Sequence, residues 1–150
     1  MPTGFGPQQF ELPLSDSYPA NNPADESDDL RVEVIVPVTL FWNLERTQLD
    51  EKKDVQFGAP RWLGVGSGPL PVFQQKLAGT VEKVGTVQWT VITEVLRRVE
   101  TNSAGKKYRH LITPLVRLIR TFTPSNGGSP SIEEVRQNSS TVRGDWISLP

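Results

Sequence analysis

"TVQWTVITEVLRRVETNSAGKKYRHLITPLVRLIRTF", residues 86–122, decides the fold, because its two halves alternate in polarity and its middle does not. In an extended chain successive side chains point to opposite faces. On the first half Val87, Trp89, Val91, Val95 and Val99 therefore share one face, and Gln88, Thr90, Glu94, Arg98 and Glu100 share the other. On the second half Tyr108, Ile112, Val116, Leu118 and Phe122 fall together. Between them Asn102, Ser103 and Gly105 are residues that tight turns use, either for side-chain hydrogen bonds to the backbone or for left-handed φ. The stretch predicts one long antiparallel hairpin. A competing reading makes "TPLVRLIRTF" a short helix, with Thr113 as cap, Pro114 at its first position and Leu115, Leu118, Ile119 and Phe122 inward. Alternation sustained on both legs favours the ribbon.

Working outward, "RVEVIVPVTLFWNLER" places Val32, Val34, Val36, Val38, Leu40, Trp42 and Leu44 on even positions, the strongest strand signal in the chain. Pro37 cannot donate to a ladder, so this strand is expected at a sheet edge or bulged there. A short strand is expected near residues 61–65. "VFQQKLAGTVEKVG" reads as two strands joined by a turn, since Gly79 and the β-branched Thr80 and Val81 disfavour a helix. The fold class expected is mainly β: a single antiparallel β-barrel or sandwich with a long β-hairpin, spanning residues 31–124.

Both ends read differently. Residues 1–30 hold six of the 17 acids and no lysine or arginine, so the other 120 residues carry all 16 bases and a surplus of five positive charges. With five prolines and no evident period, this segment is expected to be an extended acidic arm rather than a ladder strand. Phe5, Phe10, Leu12, Leu14 and Tyr18 are more apolar groups than a solvating tail needs. They are expected to dock on a neighbouring subunit. Residues 125–150 read as a loop, one helical turn with Ser131 and Glu134 at capping-box spacing, and a docked tail anchored by Trp146 and Ile147.

Composition excludes much chemistry. There is no cysteine, so disulfides, thiolate metal sites and cysteine nucleophiles are out, and one histidine, His110, rules out paired-histidine metal sites. His110 lies in "YRHLI" with no nucleophile elbow anywhere in the chain, which favours an ordinary ribbon-end imidazole over a triad base. The acid pairs Asp28/Asp29, Asp50/Glu51 and Glu133/Glu134 lie in polar stretches that solvation alone explains. "GVGSGP", residues 64–69, lacks both the last glycine of a dinucleotide loop and the lysine of a P-loop. "RGD" at 143–145 and "NSS" at 138–140 are short matches without a secretory context. No catalytic, cofactor-binding or metal-binding residue is assigned, and neither a membrane nor a small-molecule substrate is expected.

Arg97, Arg98, Lys106, Lys107 and Arg109, with Trp89 and Tyr108 near them in sequence, are the residues that could grip a single strand of nucleic acid by phosphate contact and base stacking. Alternation splits Arg97 from Arg98 and Lys106 from Lys107 onto opposite faces, which argues against one continuous groove. The expectation is a non-enzymatic structural subunit whose partners are other copies of itself and other structural proteins. A phage or viral capsid, cement or connector component, located in the virion, is the specific form. A cytoplasmic single-strand-binding module on an OB-like barrel is the alternative. Export by a classical signal is not expected from "MPTGFGPQQF".

Overall fold

The computed structural model describes residues 7–18, 30–64, 70–77, 80–102 and 104–149, with side chains described outside 64 and 70–84 and from Arg31 onward in the second segment. Strand β2, Leu30–Leu40, is the middle of the first antiparallel sheet. Strand β1, Gln8–Tyr18, pairs with it along its whole length, from Gln8 opposite Leu40 to Tyr18 opposite Leu30. On its other side β2 meets two short strands in succession, β3 (Val55–Phe57) at Val38–Leu40 and β4 (Arg61–Gly64) at Val32–Ile35. The even residues Val32 to Trp42 are all buried, as their alternation requires. Each is worth about 1.5–3 kcal/mol in apolar area removed from water.

Pro37 sits where the third column changes from β3 to β4, and its carbonyl accepts the N–H of Gly58 at 2.9 Å. In an extended strand the N–H and C=O of one residue point the same way. The proline nitrogen therefore faces the seam, where no donor is missed, and β2 is central rather than an edge. That corrects the expectation drawn from Pro37.

The second antiparallel sheet is built on the predicted ribbon. β6, Thr80–Thr101, and β7, Lys107–Pro124, pair without a register shift from Gly85 opposite Pro124 to Thr101 opposite Tyr108. At the tip Asn102 N–H donates to Lys107 O, Asn102 Oδ1 accepts from Lys106 N, and Gly105 has φ 68°, the left-handed turn geometry its sequence announced. The helical reading of 113–122 is excluded. β5, Leu70–Leu77, pairs with β6 only as far as Val87. Beyond β7 lie β8 (Ser131–Ser139), β9 (Val142–Arg143) and β10 (Ile147–Ser148). Pro114 repeats the arrangement of Pro37: it falls between the β8 and β9 pairings, its carbonyl taking Ser140 N–H at 3.4 Å.

One core joins the sheets. Leu12, Leu14, the even β2 valines and Leu40 meet Val87, Trp89, Ile112, Val116, Leu118 and Val142. Among the described residues there is no helix, hence none long and apolar enough to cross a membrane.

Three expectations are corrected here. Residues 8–18 are not an unpaired arm: β1 is a ladder strand, and Leu12 and Leu14 are each 4% exposed inside the chain's own core. Pro13 is tolerated because its carbonyl, and so its nitrogen, faces away from β2, where Asn138 Nδ2 reaches it at 2.8 Å. Residues 131–139 form strand β8 rather than a helical turn, with Val135 as the extra residue of a bulge opposite Leu118 and Ile119. The 31–44 strand stops at Leu40: Asn43 Oδ1 takes the N–H of Thr47, Arg46 adopts φ 58°, and Leu44 is left exposed. Phe5 and the glycine-rich residues 65–69 lie outside the described residues.

Candidate functional site

The basic zone at the ribbon end is the richest cluster of charge, and the fold pairs Arg97 and Arg109 of it with acids. Arg97 Nη1 donates to Asp54 Oδ1 at 2.9 Å, which ties the ribbon to the turn before β3. That bond is the first cause holding the Arg97 guanidinium pKa above its usual value. Arg109 pairs with Glu100 at 2.7 Å and lies 4.2 Å over the Trp146 ring. Arg117 bridges Glu94 at 2.6 Å and Glu134 at 2.9 Å, while Arg120 bridges Asp16 at 2.8 Å and Glu133 at 3.0 Å. Arg98, Lys106 and Lys107 are exposed and have no ion pair among the described residues.

Trp89 is corrected as a stacking surface. Its ring is fully buried, and its indole N–H donates to Asp16 Oδ2 at 2.9 Å, so no base can reach its face. Asp16 thereby links β1 to both legs of the ribbon. Next to it Tyr18 stacks on Phe122 with ring centroids 6.3 Å apart, and the Arg120 guanidinium lies 4.5 Å from the Tyr18 centroid. Burial raises the Tyr18 phenol pKa, with Arg120 pulling against it. Of the residues suited to nucleic acid, the structure leaves three exposed cations and the half-buried Tyr108, whose ring meets His110 edge-on at 6.0 Å.

His110 lines an open groove of about 350 Å³ with Gln48, Leu49, Asp50, Glu51, Asp54, Arg97 and Ile112. Two of its three acids are already used. Asp54 holds Arg97, and Asp50 caps its turn by accepting the N–H groups of Lys52 and Lys53 at 2.9 Å each. Those backbone bonds, Lys53 first, keep the Asp50 carboxyl below its usual pKa. No hydrogen bond joins the imidazole to a hydroxyl or carboxylate among the described residues, so the relay a triad needs is not assembled. Nor does any group of three or more His, Asp or Glu side chains converge among them.

The "RGD" triplet is a packing element. Gly144 N–H donates to His110 O at 2.8 Å and Asp145 N–H to Arg46 O at 2.8 Å, pinning the tail over Trp42. Trp42 in turn donates its indole N–H to Gln8 Oε1 at 3.0 Å, which also accepts from Arg46 at 2.9 Å. A Cβ on Gly144 would stand 3.1 Å from Trp42 Cζ3 and 3.2 Å from the Arg46 carbonyl. Gly144→Ala is therefore expected to destabilise the fold by about 1–2 kcal/mol through overpacking. Urea denaturation reads it, and an unchanged midpoint would mean the tail is not seated there.

Of the residues singled out for interfaces, Leu12 and Leu14 serve the internal core, and Phe10 packs against it. Trp146 is 38% exposed beneath Arg109, and Ile147 pairs opposite Tyr108. No family model, curated protein or solved structure significantly matches this chain.

What sequence reading passed over is the outer margin of β6. Past Val87 no described strand pairs with it on the side away from β7. Ile92, Leu96 and Val99 are 50%, 47% and 52% exposed along this margin. The signal was present in "VQWTVITEVLRRVET": fourteen residues rich in β-branched types after Val87, with no proline or glycine.

Proposed function

We propose that this chain is a non-enzymatic structural subunit that works by assembling with other copies of itself and with other structural proteins. The observation that carries the reading is the long margin of β6 past Val87 that no described strand covers, with its exposed Ile92, Leu96 and Val99. A strand of that length with unpaired backbone groups and apolar side chains is a template for another chain. The paired arginines and the capped Asp50 supply rigidity rather than a reaction centre. A sandwich description suits two sheets sharing one core.

The narrower form, a virion component such as a capsid, cement or connector subunit, is supported by small size and β-rich build. It drew equally on an extended N-terminal arm, and with Leu12 and Leu14 folded inward that part of its support is gone. Sedimentation velocity over a wide concentration range tests assembly. The expected result is a species at a multiple of 16.7 kDa, in dynamic exchange with the monomer at the dilute end. A single 16.7 kDa species at every concentration sinks self-assembly.

A further inference from the structure

Which backbone groups the free margin offers follows from the hairpin tip. Asn102 N–H donates to Lys107 O, and the β6–β7 ladder runs from there without a shift. Even-numbered β6 residues therefore bond to β7, and the odd-numbered residues from Trp89 to Thr101 aim N–H and C=O outward. The other edges are shorter, interrupted or blocked, those of β5 and β8 running eight and nine residues. That of β1 carries Pro13 and is bridged by Asn138 and by Arg136, which reaches Ser15 O at 3.2 Å, while β3 and β4 have three and four residues.

We infer that β6 pairs antiparallel with β6 of a second copy about a two-fold axis at Leu96, joining two second sheets into one continuous sheet. The inference rests on the assembly reading and names its partner. Charge narrows the register. Because the same backbone set faces outward on both copies, the axis passes through a residue. An axis at Glu94, Arg97 or Arg98 sets like charges opposite each other. An axis at Leu96 instead places Glu94 opposite Arg98 of the second copy, twice by symmetry, around a central Leu96 pair. Arg98 is exposed and has no ion pair within its own chain among the described residues, so it is available for this contact.

Two variants of the full chain test it by sedimentation, with circular dichroism as the check on folding. Thr93→Pro removes one outward N–H; Pro13, Pro37 and Pro114 already occupy strands of this fold where the nitrogen faces no ladder partner. It is expected to weaken the dimer at least tenfold. Arg98→Glu puts acid against Glu94 on both sides of the axis and is expected to weaken it similarly, with recovery in the Glu94→Arg, Arg98→Glu double variant. If Thr93→Pro fails to fold, the charge swap decides alone. An oligomer whose mass neither variant alters overturns edge pairing and leaves assembly standing. A parent chain that is monomeric throughout overturns edge pairing together with self-assembly.

Discussion

A chain lacking residues 1–18 is expected to show no cooperative unfolding transition. Leu12 and Leu14 are buried against the β2 valines, and losing core leucines costs about 2–5 kcal/mol each. The deletion also removes β1 from its pairing along all eleven residues of β2, leaving only the short β3 and β4 on the other side, and uncovers one flank of the core. A domain of this size holds only about 5–15 kcal/mol in total, so the loss consumes most or all of it. An arm that docked on a neighbour would behave oppositely, leaving a folded monomer with a sharp melt. Leu12→Ala separates the two readings more gently: about 2–4 kcal/mol in denaturant if the side chain is core, near zero if it serves another subunit.

Why β1 escaped a reading that found β2 is physical. Phe10, Leu12, Leu14 and Tyr18 do alternate, but Pro13 and Asp16 interrupt the pattern, one as a ladder breaker and one as a charge on the inward face. Neither objection holds once the partners are known. The nitrogen of Pro13 faces the outer margin, and Asp16 finds Trp89 and Arg120. Those partners lie 73 and 104 residues away, a distance over which no local period carries information. β8 hid for a related reason. "SIEEVRQNS" is an exposed strand whose acids Glu133 and Glu134 match Arg120 and Arg117 across the sheet, while in sequence the same acids mimic a helix start. By contrast β2, β6, β7 and the tip were legible because burial on one face and turn chemistry are local. The inward face of Trp89 was legible too, through its company with Val87 and Val91. What could not be read was the acceptor that makes its burial tolerable.

That acceptor gives the second large effect. Asp16→Ala is expected to destabilise the fold by about 2–4 kcal/mol, because it leaves the indole N–H of a fully buried tryptophan without a partner and strips Arg120 of its inner carboxylate. The Asp16 and Arg120 side chains are 14% and 16% exposed, so water relieves part of the cost, which keeps the figure below that of a sealed pair. In a domain of this length that corresponds to about 4–16 °C in thermal midpoint. Asp16→Asn separates the two contributions: the amide oxygen still accepts from Trp89 while the charge opposite Arg120 is gone, so its loss should be the smaller. Arg61→Ala is the natural comparison, since its pair with Glu11 is more than half exposed on both sides and is worth about 0–1 kcal/mol. If Asp16→Ala costs no more than Arg61→Ala, the link between β1 and the ribbon is not what holds the two sheets together, and the burial of Trp89 must be secured by packing alone.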